Sequence, residues 1–222
     1  MKTNITNLNV NLGKDTSDND VYLDLEQERL HLTLLVGTTG SGKSIFHNNL
    51  YNELSKQNTS EEIGFVFLDS TRVDFMDWQS PYLFLPPSTG DEAINVLEKI
   101  ALTNEIKTLF IHIEECDLFI KFTKRMKQVL TKVLKNKNNI YIIFSTSRPS
   151  KEDVLQDWLM NMVDLKVIFN LASNTDCATL EAGNDPLDFK KGEKLIIYKN
   201  NNIFCQPFTD KKTKDLENFQ LI

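Results

Sequence analysis

The chain has 222 residues, 41% of them hydrophobic and 25% charged, which allows one sizeable domain or two small ones to bury a core. No apolar run approaches the roughly 20 residues that cross a bilayer, and the polar start MKTNITNLNVNLGKD lacks the core of a signal peptide, so we expect a cytoplasmic protein. A net charge of −6 argues against a protein that coats nucleic acid through its overall electric field.

Cysteine and histidine spacing gives no sign of a metal centre. The cysteines are three, an odd number, and lie far apart, which predicts reduced buried thiols rather than a disulfide framework or a zinc site. The three histidines are expected in ordinary packing or at the surface: His31, His47 and His112.

Short apolar segments alternate with amphipathic helical stretches along most of the chain. In chain order, the predicted strands are VYLDL, LTLLV, GFVFLDS, YLFL, TLFIHI, IYIIFST, LKVIFNL and EKLIIY. Apolar spacing predicts helices over 91–102 and 119–134, and the second helix carries lysines opposite its apolar stripe. This alternation predicts an α/β fold with a mainly parallel sheet flanked by helices on both faces.

A glycine-rich turn, GTTGSGKS, follows the strand LTLLV and fits the phosphate-binding loop G-x-x-x-x-G-K-[ST]. The glycines let the backbone approach an anion, toward which the following helix directs its positive end. The lysine would reach the β- and γ-phosphates of ATP, and the serine would offer its hydroxyl to Mg²⁺. The alternative is a strand-to-helix turn that matches by accident. The predicted nucleotide-binding residues are Gly37, Thr38, Thr39, Gly40, Ser41, Gly42, Lys43 and Ser44.

Two later strands end in polar residues that suit the same site. TLFIHIEECD ends in Glu114, predicted to hold the Mg²⁺ shell, and Glu115, predicted to orient and deprotonate the attacking water. The alternative is a pair of acids that cap a helix start. The strand IYIIFSTSRPS ends near Ser147, where a γ-phosphate sensor would lie. Together with the phosphate-binding loop, these strands complete a RecA-like ATPase layout.

Several short motifs match the sequence pattern of one protein family. The stretches are LGKD before VYLDL, GTTGSGKS, LDSTRVDF, STSRPS, ASNTDCATLEAG and KKGEKLI. Together they resemble the motor domain of the FtsK/SpoIIIE family of DNA translocases. The sequence departs from the family pattern at five positions: Thr71 replaces a lysine, Glu114 an aspartate, Ser147 a glutamine, and Lys166 and Ala178 replace arginines.

The resemblance implies an N-terminal tail over 1–8, a motor domain over 9–209 and a C-terminal tail over 210–222. It further implies a DNA-stimulated ATPase that assembles as a hexameric ring around double-stranded DNA. Such a compact form would serve DNA transfer or genome packaging by a mobile element, with any membrane-bound partner encoded elsewhere. Pore-facing DNA contacts fall on Arg148 and Lys151, and Lys166 is the candidate cation that acts on a neighbouring subunit.

Two other functions stay open at this point. One is a module like the FtsK-type ATPases of type VII secretion, which binds protein substrates. The other is a degenerate nucleotide-binding subunit, which the departures at Thr71, Glu114, Ser147 and Ala178 keep open. Loss of either family arginine would slow hydrolysis if that arginine acts on a neighbouring subunit, since lysine cannot copy its forked guanidinium. The basic face of the 119–134 helix is expected to be a solvated outer surface.

Overall fold

The computed structural model describes residues 6–102, 107–116, 124–136, 139–149 and 157–208. Its strands are β1 (Asn9–Lys14), β2 (Asp20–Asp24), β3 (Leu32–Val36), β4 (Ile63–Asp69), β5 (Thr108–Glu114), β6 (Ile140–Thr146), β7 (Leu165–Ile168), β8 (Lys194–Tyr198) and β9 (Asn201–Cys205). Its helices are α1 (Lys43–Gln57), α2 (Gly90–Leu102), α3 (Lys124–Asn136), α4 (Asp157–Met160) and α5 (Asn174–Leu180), followed by a 3₁₀ turn over Asp185–Leu187.

Seven strands form the central sheet in the order β4-β5-β6-β3-β7-β8-β9. The first five of these run parallel, and β8 and β9 are antiparallel additions at one edge. The remaining two strands, β1 and β2, pair with each other as a separate antiparallel ribbon. The predicted RecA-like arrangement, a mainly parallel sheet with helices on both faces, is confirmed.

Successive side chains of the central strands enter opposite cores, which explains their continuous apolar sequences. Leu34 and Ile142 pack in the core beneath α2 and α3. Their chain neighbours Leu35 and Ile143 pack in the other core, which α1 and the β1–β2 ribbon cover. The phosphate-binding loop and α1 are therefore mounted on a sheet buried from both sides.

Two details of the strand prediction were wrong. YLFL at 82–85 forms no regular strand; it runs beside β4 with a single bridge from Leu83 to Phe65. Prolines at 81, 86 and 87 flank this run and remove backbone donors, which explains its irregularity. The strands β1 and β9 were missed because their sequences, NVNLGK and NNIFC, are short and rich in asparagine.

The ends of the chain bear on the predicted domain limits. The first strand begins at Asn9, yet Leu8 is buried and the Asn7 amide N–H donates to Asn58 Oδ1 at 2.8 Å. Residues 1–5 and 209–222 lie outside the described part, so the limits at 8/9 and 209/210 stay predictions. Within the described ranges, no helix is both long and apolar enough to cross a membrane.

Candidate nucleotide-binding site

The carboxyl ends of the parallel strands bring the predicted site residues to one edge of the sheet. The phosphate-binding loop leaves β3 there and is fastened to its neighbours on both sides. The Gly37 amide donates to the Thr146 carbonyl of β6 at 3.3 Å, and the Thr38 amide donates to the Asn170 carbonyl at 2.9 Å. The loop conformation is thus set by the two strands that flank β3.

Glycine is required at two points of this loop. Gly42 has a φ of 117°, and a Cβ added there would lie 3.1 Å from the Cα of Gly192. A Cβ at Gly37 would lie 2.6 Å from the Cβ of Phe169 and 2.7 Å from the Ser41 hydroxyl oxygen. This hydroxyl is itself buried without a hydrogen-bond partner in the described residues. Larger residues at Gly37 or Gly42 would therefore fill space that the loop now leaves open.

The start of α1 is open to an anion. Gly42 provides no side-chain cap, so the first amide groups of α1 keep their donors. Lys43 is buried, and its Nζ donates to the Gly37 carbonyl at 2.7 Å. Because the Lys43 amine is folded back onto its own loop, the oxygens of a bound phosphate could replace the Gly37 carbonyl as its partner. These features fit a nucleotide phosphate.

Lys43, Glu115 and Ser147, the three predicted catalytic residues, are brought together. Lys43 Nζ lies 4.0 Å from Glu115 Oε1. The other carboxylate oxygen accepts the amide and the hydroxyl of Ser147, each at 3.0 Å. Burial raises the pKa of Glu115, against the lowering effects of the Ser147 amide and of Lys43. A half-buried carboxylate with a raised pKa, beside a lysine, suits a base that accepts a proton from water.

Glu114 lies in a different environment from its neighbour. It is 2% exposed, and its Oε2 lies 2.8 Å from His112 Nε2 and also accepts the Ser145 hydroxyl. Burial raises the pKa of Glu114, but the hydrogen bond and charge of His112 outweigh burial and, with Ser145, bring the value to about 2. The described partners of Glu114 Oε2, His112 and Ser145, are both fully buried.

Sequence reasoning missed the partners behind Glu114. The Tyr51 hydroxyl of α1 lies 2.7 Å from His112 Nδ1, so a buried chain of polar groups links α1, β5 and β6. His47 packs against this chain, 5.1 Å from His112 between ring centroids, and burial lowers its pKa to about 3. The prediction of ordinary packing holds for His47, whereas His112 has specific polar partners. The only signal in the sequence was a polar residue within the strand TLFIHI.

A second missed residue is Asp74, which lies on the loop after β4. It is half-buried, and its backbone amide donates to Asp69 Oδ2 at 3.0 Å. Burial raises the pKa of Asp74, the charge of Glu114 adds to this rise, and Ser44 opposes it. The signal available in sequence was the acidic position of LDSTRVDF.

A cavity of about 260 Å³ opens beside Gly42. Its lining includes Phe46, Phe169, Phe208 and Lys191. Lys194 forms part of the lining, with Nζ 4.6 Å from the Phe208 ring centroid and 3.2 Å from the Gln206 carbonyl. Burial lowers the pKa of Lys194 to about 8. The cavity is therefore aromatic and lies next to the phosphate-binding loop.

The three predicted residues that remain are Arg148, Lys151 and Lys166. Arg148 is exposed, just past the end of β6. Lys166 lies on β7, and its Nζ donates to the Leu180 carbonyl of its own chain at 2.9 Å. Lys151 lies outside the described residues. Basic residues of α3 include Arg125, which is exposed and paired with Glu98 at 2.9 Å.

The fold and the loop define a P-loop protein of the RecA-like type. The model of the FtsK/SpoIIIE family matches residues 1–95. A DNA translocase FtsK from Staphylococcus epidermidis is 25% identical over 230 residues, which cover 86% of this chain and 28% of the relative. By these matches the resemblance to the FtsK/SpoIIIE family is confirmed. The chain spans less than a third of the length of that relative.

Solved structures share the fold. The pCW3 conjugation coupling protein TcpA superposes with a TM-score of 0.73 at 16% identity, over 99% of this chain and 72% of TcpA. The genome packaging NTPase B204 of Sulfolobus turreted icosahedral virus 2 superposes with a TM-score of 0.61 at 17% identity. That match covers 80% of this chain and 97% of B204. At these identities the likeness shows the fold alone.

Proposed function

We propose that the chain is an ATP-hydrolysing motor subunit that assembles into a hexameric ring and moves double-stranded DNA. The observation that carries the enzymatic part is the convergence of Lys43, Glu115 and Ser147 at the open start of α1. In this proposal, Lys43 leaves the Gly37 carbonyl for phosphate oxygens, Glu115 takes a proton from the attacking water, and Ser147 contacts the γ-phosphate.

The residues also fit ATP and Mg²⁺ by their chemistry. A bound Mg²⁺ would neutralise charge on the β- and γ-phosphates. Mg²⁺ prefers oxygen ligands and keeps few protein contacts, which the Ser44 hydroxyl and a nearby carboxylate would satisfy. The aromatic cavity next to Gly42 suits a nucleoside, because rings of Phe46, Phe169 and Phe208 line it beside the loop.

The DNA part of the proposal rests on the family and on position. The matched relative is a DNA translocase, TcpA is a conjugation coupling protein, and B204 is a genome packaging NTPase. Arg148 is exposed at the sheet edge that holds the loop, where a cation can meet phosphate. Lys151 would extend this contact, and Lys166 is proposed to act across the subunit interface. A cytoplasmic location and a membrane-bound partner are part of the same proposal.

Nucleotide binding is tested by calorimetry with Mg·ATP on the intact chain and on Lys43→Ala. We expect the variant to lose binding, because the loop loses the cation that lies within it. Lys56→Ala is the matched control, since Lys56 is an exposed lysine in the last turn of the same helix. Equal affinity of the intact chain and Lys43→Ala would contradict the assignment of the loop.

DNA translocation is tested by the ATPase rate with and without duplex DNA, and by negative-stain imaging with an ATP analogue and duplex. We expect DNA to raise the rate, and rings to form around the duplex. Replacing Arg148 and Lys151 with alanine should weaken duplex binding and its salt dependence. A rate unaffected by duplex at low salt, without rings, would instead favour the protein-binding secretion module. If the unchanged protein binds nucleotide but does not hydrolyse ATP, this result would favour a degenerate subunit.

A further inference from the structure

The proposed base, Glu115, lies at an unusual point of the backbone. It follows directly after β5 and has a φ of 45°, which residues other than glycine rarely adopt. From this backbone its carboxylate reaches two partners. One oxygen lies 4.0 Å from Lys43 Nζ, and the other accepts the amide and the hydroxyl of Ser147, each at 3.0 Å. A contact that holds the Glu115 amide therefore also sets where this carboxylate lies.

Ser145 makes that contact from the neighbouring strand β6. Its side chain is fully buried, and its hydroxyl oxygen accepts the Glu115 amide at 3.3 Å. A hydroxyl has one proton and two lone pairs, so it can accept this amide only while a lone pair faces it. The group that takes the Ser145 proton therefore determines whether the contact forms.

The Glu114 carboxylate takes the Ser145 proton. Glu114 Oε2 accepts the Ser145 hydroxyl, whereas the Ile113 carbonyl lies farther away, at 3.4 Å. A carboxylate is also the stronger acceptor of the two, because it is charged. With its proton on Glu114, the Ser145 oxygen keeps lone pairs for the Glu115 amide.

His112 and Tyr51 hold Glu114 in place behind Ser145. His112 Nε2 lies 2.8 Å from Glu114 Oε2 and 3.2 Å from the Ser145 hydroxyl oxygen. On the other side of the ring, Nδ1 lies 2.7 Å from the Tyr51 hydroxyl. All four side chains are buried, so water does not compete for their hydrogen bonds. The orientation of the Ser145 hydroxyl is thus set from within the protein.

We propose that Ser145 is a positioning residue for hydrolysis. With its proton on Glu114, it accepts the Glu115 amide and so fixes the carboxylate that takes a proton from water. Ser145 itself touches neither nucleotide nor water in this role. The inference rests on the proposed hydrolysis and goes beyond it, because it gives a buried group behind the site a part in turnover as well as in stability.

The first test measures the Glu115 amide directly. Amide hydrogen exchange is followed by nuclear magnetic resonance on the full chain, in the unchanged protein and in Ser145→Ala. We expect the Glu115 amide to exchange about fivefold faster or more in the variant, as for the loss of one ordinary hydrogen bond. Thr33→Val is the control, because it removes another buried hydroxyl of the sheet, near the start of β3. Faster exchange of the Glu115 amide in both variants would overturn the proposal.

The second test separates turnover from binding. Ser145→Ala should lower kcat for ATP about tenfold or more, because the base is misplaced. KM and the calorimetric nucleotide affinity should change by less than about twofold, a split that a merely structural loss would not produce. In the Glu115→Gln protein, the same substitution should change the remaining single-turnover rate by less than about twofold, since no base is left to position. Effects that multiply in the double variant would overturn the proposal.

Thermal unfolding checks that each variant is folded. If Ser145→Ala is not, Ser145→Cys keeps a similar volume and only a weak donor and acceptor, and the same losses are expected. Unchanged exchange of the Glu115 amide, or an unchanged kcat, in the folded variant would overturn the inference while leaving the proposed hydrolysis intact. Absence of ATP hydrolysis by the unchanged protein, with or without duplex DNA, would refute the proposed hydrolysis and the inference with it. The two failures are therefore distinguishable.

Discussion

Two adjacent acids at the end of β5 lie in different surroundings. We call the buried surroundings of Glu114 the closed region and the surroundings of Glu115 the open region. In the closed region, Glu114 is 2% exposed and hydrogen-bonded to His112 at 2.8 Å. In the open region, Glu115 is half-buried, 4.0 Å from the Lys43 amine, and accepts two bonds from Ser147. Burial raises the pKa of both, yet only Glu114 has partners that more than offset it.

Glu115 lies just past the end of β5, where the backbone leaves the extended conformation and has a φ of 45°. A left-handed backbone at a residue other than glycine costs of order 1–3 kcal/mol. The Ser145 hydroxyl offsets part of this cost by accepting the Glu115 amide at 3.3 Å. The closed region thus positions the open one.

The largest expected effect falls on the open region. Glu115→Gln keeps the shape of the side chain and removes its basicity, so we expect ATP turnover to drop about 10²–10⁴-fold with nucleotide binding retained. Steady-state ATPase assays and calorimetry measure the two quantities. Glu61→Gln, at an exposed glutamate, is the control. Normal turnover in Glu115→Gln would show that the open region is not the catalytic one.

Next in size is an effect on the closed region. His112→Leu leaves the Glu114 carboxylate buried without its imidazole partner, which should lower the free energy of unfolding by about 3–5 kcal/mol. Urea denaturation at pH 7 measures it. His31→Leu is the control, because His31 is only half-buried and stacks on Tyr141 at 4.9 Å. Equal losses of unfolding free energy in His112→Leu and His31→Leu would show that His112 does not stabilise the fold through Glu114.

The pH dependence of stability separates the two acids by sign. The pKa of Glu114 is lowered from 4.5 to about 2 in the folded protein, so its ionised form stabilises the fold above pH 4.5. That contribution, about 3 kcal/mol, should disappear between pH 4.5 and pH 2, and the difference between the unchanged protein and Glu114→Gln should show it.

Glu115 should behave in the opposite sense. Its pKa is raised, so the protonated form is favoured by folding and the contribution is lost as pH rises through the folded pKa. The stability difference against Glu115→Gln should therefore decrease with rising pH, where the difference against Glu114→Gln increases. The two stability differences are measured in unfolding experiments between pH 2 and about pH 7. If both changed with pH in the same direction, the contrast between Glu114 and Glu115 would be wrong.

The smallest effect is expected at the far end of the closed region. Tyr51→Phe removes the hydroxyl that lies 2.7 Å from His112 Nδ1 while keeping the ring in its aromatic surroundings. We expect a loss of about 1 kcal/mol in unfolding free energy and little change in nucleotide affinity. A large fall in affinity without loss of stability would mean that Tyr51 acts on the open region directly.

Much of this arrangement follows from local sequence. The strands that carry the site are buried on both faces, so LTLLV, TLFIHI and IYIIFST have continuous apolar patterns that predict them directly. The loop motif placed Lys43 and Ser44 by its spacing alone. Parallel strands end at one edge, so Glu115 and Ser147 could be expected beside the loop.

The roles of the two acids could not be predicted in the same way. They depend on the positive φ at Glu115 and on a hydrogen bond between β5 and β6, which have no local sequence pattern. The position of Asp74 depends on Asp69, which accepts the backbone amides of Asp74 and Phe75. Since most sequences at 71–75 would supply such amides, no local pattern indicates this contact. YLFL had strand-like composition, but the neighbouring prolines prevented regular pairing.

The contact between Gly42 and Gly192 has a consequence for how the sequence can change over evolutionary time. The Gly192 amide donates to the Ser41 carbonyl at 2.8 Å, and a Cβ on Gly192, with φ of 86°, would lie 2.9 Å from Pro207. A Cβ on Gly42 would meet the Gly192 backbone, whereas a Cβ on Gly192 would meet the Pro207 ring, and both glycines have a positive φ, so each is required for its own reason. In a library that randomises both positions, functional clones should therefore retain glycine at each of the two sites.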